Sequence, residues 1–193
     1  MEMTIKEHND RKNSSLKMIL WFGIMSMSML FAGLTSAYVV SKSRPDWLKD
    51  LEMPSAFLAS TIVIIISSVT FMLAKKAIKQ DKRSLTTTYL LLTLGLGLSF
   101  VYLQLMGFSQ LVANGYNLTG TTSNVKISFL YIFVIVHFLH LFGGLISLLV
   151  IIYNHFKQKY NSRQTLGIEL GAIFWHFLDI LWVYLFLFLY FIK

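Results

Sequence analysis

Apolar residues gather into five long blocks, at about 17–41, 55–77, 85–110, 127–153 and 166–192, separated by short polar stretches. Each block holds about 23 residues or more, and about 20 suffice to cross a ~30 Å hydrocarbon core as a helix. The pattern predicts an all-α, polytopic membrane bundle of five transmembrane helices at those positions. A polar tail at 1–16 precedes a single transmembrane domain at 17–193. No repeat of fixed period appears, and the first block is too long for a signal-peptide core, so it reads as a retained helix.

Composition agrees with that solvent. Hydrophobic residues make up 55% of the chain and charged ones 13%, about half the usual quarter of a soluble domain. The net charge of +8 would suggest nucleic acid in a soluble protein, but here it follows the positive-inside rule. Lys6, Arg11, Lys12 and Lys17 lie before the first span, Lys75, Lys76, Lys79, Lys82 and Arg83 in the second loop, and Lys157, Lys159 and Arg163 in the fourth. Only Lys42, Arg44, Lys49, Lys126 and Lys193 fall on the opposite side. The N-terminus is therefore expected in the cytoplasm and the C-terminus outside. The chain has no cysteine, which excludes disulfides, iron–sulfur clusters and thiolate metal sites.

The loops carry few signals. Pro54 suits the start of the second helix, Pro45 bounds the same loop, and Trp47 suits an interfacial anchor. Asn117-Leu118-Thr119 forms a glycosylation sequon that reads as coincidental. Small residues mark expected helix contacts: Gly33 with Ala37, Gly95 with Gly97, Gly143 with Gly144, and Gly167 with Gly171.

The informative residues are polar ones inside the apolar blocks. The fifth carries Glu169, His176 and Asp179, whose spacing places them on one helix face. The fourth carries His137 and His140, also on one face. His140 and Asp179 lie near the middle of their spans, with His137 and His176 about 4–5 Å to either side. An acid at that depth costs about 2.5–3.5 kcal/mol on insertion scales and must face protein. Three readings are open: a structural lock between the fourth and fifth helices built on an Asp–His pair, haem or metal ligation by histidines such as His140 and His176, and a proton path. Bulky neighbours (Phe138, Leu139, Phe177) favour the structural lock. On that reading Asp179→Leu weakens assembly.

These residues also carry a resemblance. His137-Phe-Leu-His140-Leu-Phe-Gly143-Gly144 resembles the H-x-x-H-x-x-x-G segment of haem–copper oxidase subunit III. Trp175-His176-Phe177-Leu178-Asp179-Ile180-Leu181-Trp182 resembles that family's W-H-F-x-D-x-x-W signature, with Glu169 in the place of its acidic residue. Met29-Leu30-Phe31-Ala32-Gly33, Ser36-Ala37-Tyr38, Pro54, Ser67 and Ser68 fit more loosely. The likeness covers about 17–192, in a five-helix form shorter than the seven-helix members, and Met27 stands where many members bury a glutamate.

The resemblance implies a non-catalytic subunit of a bacterial inner-membrane terminal oxidase. Such a subunit binds no haem or copper of its own; those belong to subunits I and II, its expected partners. It packs against subunit I near a proton-uptake path, sustains proton delivery and holds phospholipid. An aa3-type cytochrome c oxidase is the leading expectation, with possible membership of a larger respiratory assembly. A quinol oxidase subunit or a nitric-oxide-reductase-associated homologue is the alternative, and a membrane haem cytochrome or small transporter is less favoured. No proline interrupts a span, which argues against the broken helices of transporters. Lys17, Lys75, Lys76, Lys157 and Arg163 are expected to meet lipid headgroups, and grooves lined by Phe186, Phe188 and Tyr190 to take the tails.

Overall fold

The computed structural model describes residues 5–44, 47, 54–116, 124–161 and 164–192. Among them are five helices: α1 Ile5–Ser41, α2 Ser55–Lys79, α3 Arg83–Ala113, α4 Val125–Phe156 and α5 Leu166–Phe191. All five are long and apolar enough to cross a membrane, so the chain is an all-α helical bundle. Arg163 and the Asn117 sequon lie outside the described residues, as does Pro45.

Local chemistry sets several helix ends. Pro54 stands at the N-cap of α2 with φ −54° and ψ 137°, an extended conformation that its ring favours and that demands no donor. Asn124 caps α4, its side chain accepting from the Lys126 backbone N–H at 3.0 Å. Gly115, at φ 82°, turns the chain just after α3, in a region where a Cβ would be strained.

One boundary differs from expectation. The segment predicted as a polar tail is helical from Ile5, so α1 extends the first span backwards. Hydropathy reads only the part of a helix that needs lipid. No proline or glycine lies between Ile5 and Lys17 to stop the helix in the polar stretch.

The helices α2, α3, α4 and α5 form a closed ring: α2 packs on α3, α3 on α4, α4 on α5, and α5 returns to α2. Helix α1 stands outside, against α4 and α5, and among the described residues touches neither α2 nor α3. Its inward stripe is Ile24, Phe31, Thr35 and Tyr38. Two polar contacts secure that stripe. The Tyr38 hydroxyl donates to the Ile192 carbonyl at 3.1 Å, and the Tyr184 hydroxyl approaches Thr35 Oγ1 at 3.4 Å. Tyr38 also sits among Trp47, Phe129, Phe133 and Phe188. Phe188 is half-buried among these rings, while Tyr190 is exposed and stacks on Phe186.

Lipid gives helices no hydrophobic reason to associate, so close backbone approach matters. A Cβ at Gly97 would meet the Trp175 ring at 3.0 Å, one at Gly107 the Phe57 ring at 2.6 Å, and one at Gly144 the Leu178 side chain at 2.7 Å. Gly171 faces Ile151, and Gly167 faces Tyr160. The other expected contacts do not form: Gly33, Gly95 and Gly143 have nothing within 4 Å of a Cβ position. Gly33 lies about half a turn round α1 from Phe31 and Tyr38, which take the inward face.

This sorting makes a paired prediction. Gly144→Leu should cost about 1–3 kcal/mol through overpacking, whereas Gly143→Leu should stay within about 0.5 kcal/mol. Thermal unfolding midpoints of the two variants, measured side by side in detergent, check it.

Candidate functional site: a polar seam between the second and fifth helices

Helix α5 places its polar side chains on two adjoining stripes. Trp175, Asp179 and Trp182 are buried, and His176 and Glu169 flank them half-buried. Helix α2 answers with a stripe of small hydroxyl residues at 60, 61, 67 and 68, followed toward its C-terminus by Lys75 and Lys79.

The stripes meet. Trp182 Nε1–H donates to Thr61 Oγ1 at 3.0 Å, and Trp175 Nε1–H donates to Ser67 Oγ at 3.1 Å. Ser68 Oγ and His176 Nδ1 are 2.6 Å apart. Lys79 Nζ lies 2.7 Å from Glu169 Oε1 at the end of the bundle, and that same oxygen accepts from Thr165 Oγ1 at 3.3 Å. Partners descend α2 as they ascend α5, which is the register of antiparallel helices. Small hydroxyl residues let the indoles approach closely, and both indole N–H groups of this seam find an acceptor, which a dry interior favours.

Further polar links tie α3 and α4 to the same interior. Thr70 and Thr93 hydroxyls are 2.8 Å apart, Gln104 Nε2 donates to Ser60 Oγ at 2.9 Å, and Thr87 Oγ1 lies 2.9 Å from His155 Nε2. Only one signal in the sequence marks these groups, the recurrence of Ser and Thr on one face of α2 with a seven-residue offset.

The expected lock between α4 and α5 does not form. His137 is fully buried, and neither ring nitrogen has a hydrogen-bond partner. Its ring lies 5.1 Å from Trp182 and 6.1 Å from Phe100, in an aromatic box. His140 turns the other way. Its Nδ1 lies 2.7 Å from the Val136 carbonyl, one turn back on its own helix, and its ring packs on Phe31 of α1 at 5.7 Å. His176 is committed to α2. Asp179 is 3% exposed and neither carboxyl oxygen has a partner in hydrogen-bond geometry, with the Ser68 hydroxyl its interacting polar neighbour. The five residues expected as one cluster are thus dispersed over three interfaces. His140 and His176, weighed as paired haem ligands, face different helices. Glu169, weighed against Arg163, pairs with Lys79. Asp179→Leu would remove no hydrogen bond to α4, the contact on which the expected loss of assembly rested.

The residues expected at headgroups gather near one end of the bundle. Lys17, Lys76 and Lys157 are exposed and Lys75 is half-buried. Lys157 Nζ lies 4.6 Å over the Tyr153 ring, a cation–π contact. A cavity of about 600 Å³ at this end is lined instead by Lys12, Lys159, Tyr160, Thr165 and Glu169 among others. An apolar groove of about 380 Å³ adjoins it, sharing Tyr160 and Gly167 and running between α1, α4 and α5 past Ile19, Val150 and Phe174. Burial raises the Tyr160 pKa above the ordinary phenol value, against a smaller opposite pull from its hydrogen bond with Asn154. Its hydroxyl therefore keeps its proton and can donate.

Comparison with known proteins matches this architecture to one group. The family model described as cytochrome c oxidase subunit III matches residues 1–193. A cytochrome bo(3) ubiquinol oxidase subunit 3 from Buchnera aphidicola subsp. Schizaphis graminum is 31% identical over 177 residues, covering 89% of this chain and 90% of that protein. A cytochrome c oxidase subunit 3 from Thermostichus vulcanus is 28% identical over 188 residues, covering 95% and 89%. The lamprey Petromyzon marinus has a cytochrome c oxidase subunit 3 that is 32% identical over 146 residues, 74% of this chain and 51% of its own. The chain belongs to the cytochrome c oxidase subunit III family, within the haem–copper oxidases. It is a membrane protein of a respiratory terminal oxidase, and other subunits of the oxidase are its partners.

The seam makes a quantitative prediction. Trp182→Phe and Trp175→Phe each leave a hydroxyl without its indole donor and should each cost about 0.6–1.7 kcal/mol. The two sites lie two turns apart, so the double variant should lose close to the sum. Denaturant midpoints of the purified membrane complex, followed by retention of this subunit, measure both.

Proposed function

We propose that this chain is the non-catalytic subunit III of a proton-pumping cytochrome c oxidase of aa3 type in a bacterial inner membrane. It scaffolds subunits I and II, supports proton uptake by subunit I, and retains phospholipid. The observation that carries this reading is the use made of the signature residues. Trp175, His176 and Trp182 commit polar atoms to α2, so these three residues of the motif serve to close the bundle. The basic residues at one end of the bundle favour that end as the cytoplasmic one.

A second reading has a specific observation behind it. The relative from Buchnera aphidicola, matched over nine-tenths of its length, is a subunit of a ubiquinol oxidase. On this reading the chain would serve a quinol-oxidising enzyme with the same scaffold. The two differ in the companion subunit: a soluble dinuclear-copper domain on subunit II goes with cytochrome c, and its absence with quinol. Native mass spectrometry of the purified assembly, with copper counted per complex, decides between them.

For lipid, the paired cavity and groove favour an anionic glycerophospholipid. Its phosphate would meet Lys12, Lys159 and the Tyr160 hydroxyl, and one acyl chain would lie along Ile19, Val150 and Phe174. This moves the headgroup contact from Lys17, Lys75, Lys76 and Lys157 to two neighbouring lysines. The double variant Lys12→Ala, Lys159→Ala is expected to retain one phospholipid fewer per complex in native mass spectra, with subunit stoichiometry unchanged. An unaltered lipid count would remove this site.

A further inference from the structure

Asp179 is the residue for which the scaffold has no use. Among the described residues it is the only acid deep in a span, since Glu169 lies in the first turn of α5 beside Lys79. Holding a carboxyl at this depth costs about 2.5–3.5 kcal/mol on insertion scales. A buried group that holds helices together recovers such a cost through hydrogen bonds, whereas the Asp179 carboxyl has the Ser68 hydroxyl beside it but neither oxygen in hydrogen-bond geometry. An apolar residue of similar size would pack as well or better. Intramembrane acids kept without structural return mark sites where protons or ions bind.

The surroundings define the direction of access. The groups facing α5 can be named helix by helix. From α2 come Ser68, beside the carboxyl, and Lys75, whose charge bears on both His176 and Glu169. From α4 come His137, whose ring packs on Trp182 with neither nitrogen hydrogen-bonded, and His140, bonded to its own helix at the Val136 carbonyl; neither is bonded to Asp179. Helices α1 and α3 present no acid or base at this level; Phe31 and Phe100 occupy it. Toward one end of the bundle the way is closed by Trp182, hydrogen-bonded to Thr61 and packed on Phe57 and Phe100. Toward the other end stand Ser68, His176, Lys75 and the Lys79–Glu169 pair. His176 is half-exposed on the surface of the span, and Glu169, in the first turn of α5, lies two turns nearer that end, about 10 Å along the axis.

We propose that Asp179 is an internal proton-binding site that exchanges with one side of the membrane only, through Ser68 and His176, by way of the end that carries Lys79 and Glu169. It is a terminus and not a through route, because the Trp182–Thr61 bond and the aromatic rings around it seal the far side. The relay balances in protons. A hydronium ion at the open end gives a proton to His176 Nε2 and becomes water, as His176 Nδ1–H passes its own proton to Ser68 Oγ. In the same step the Ser68 hydroxyl, turned toward the carboxyl, passes its proton to the Asp179 carboxylate. One proton enters, the carboxylate becomes a carboxylic acid, and the imidazole ends neutral as the other tautomer. Release runs in reverse. The proposal concerns this chain's own residues and holds for either electron donor.

Infrared difference spectroscopy on the intact purified oxidase, wild type against Asp179→Asn, tests it. The expected result is a carboxylic-acid carbonyl band that is lost in Asp179→Asn and shifts in wild type on transfer to D2O. In Ser68→Ala, and separately in His176→Phe, the band should persist while its deuterium shift slows by about 100-fold, the scale of one positioned proton-transfer group. Asp179→Asn should leave the yield and subunit stoichiometry of the complex unchanged. Three results would overturn the proposal: no carboxylic-acid band assignable to Asp179, an exchange rate equal to wild type in both relay variants, or loss of this subunit from the complex in Asp179→Asn. The last would return the residue to a purely structural role.

Discussion

The bundle depends on one closure. Three of the four contacts around the ring join helices that follow each other in the chain, and short connections hold those in place. The fourth, between α2 and α5, joins helices that are separated in the chain by both α3 and α4. In water such a contact could be driven by burial of apolar surface. In lipid the alternative to helix contact is acyl chain, as apolar as leucine, so association has to come from close packing and directed bonds. The polar pairs are concentrated at this contact: two indole N–H groups on two hydroxyls, a serine on a histidine, and an ion pair at the rim. Each fixes register as well as attraction, because a helix slipped by one residue would leave an indole donor in a medium that offers no other acceptor.

Helix α1 obeys a different rule. It is outside the ring, its span is the least buried of the five, and its hold on the rest comes from an aromatic cluster around Tyr38 and two hydroxyl contacts near one end. Below that cluster it stands partly away from α4 and α5, which opens the groove beside Ile19, Val150 and Phe174. The groove therefore follows from where the anchor is placed. Attachment at the Tyr38 level and at Phe31 leaves an apolar slot beyond them, adjoining at its polar end the cavity that Lys12 and Lys159 line.

Most of the fold was legible in the residues alone, because the length of an apolar run depends on the membrane and not on the neighbours a helix meets. The helical character of residues 5–16 was not legible, since a helix that leaves the bilayer carries no hydropathy signal. Partner choice was the larger gap. Periodicity correctly places Glu169, His176 and Asp179 close together around α5, but it cannot say which helix that surface meets. Chain adjacency favoured α4, whose two histidines offered an evident complement. The surface meets α2 instead, and the clue lay in Thr61, Ser67 and Ser68, which recur with the spacing of two helical turns. A hydroxyl residue is an unremarkable occupant of a membrane helix, so its weight emerges only when an indole or imidazole is found opposite. The glycines tell the same story: Gly144 and Gly171 meet side chains, whereas Gly33, Gly95 and Gly143 are equally small and face outward.

The contrast between Glu169 and Asp179 shows why the latter is not a failed salt bridge. Both are acids on α5, about 15 Å apart along the axis. Glu169 sits where a lysine can reach it while keeping its own charge near water, and that pair costs little. To give Asp179 the same treatment, α2 would have to carry a basic residue near position 68, and two ions would then need removal from water at a penalty that pairing rarely repays. The chain has a serine there, whose hydroxyl can both donate and accept but brings no charge. A hydroxyl between an imidazole and a carboxyl is a poor clamp and a good conduit, since it passes a proton without retaining one. Met27 adds a second asymmetry. The resemblance leads one to expect a glutamate at that position of α1, and the groove between α1 and α5 is lined instead by Ser28, Phe31, Ala32, Phe177, Ile180, Leu181 and Tyr184. Among the described residues the one acid deep in a span is therefore Asp179, with Ser68 of α2 beside it.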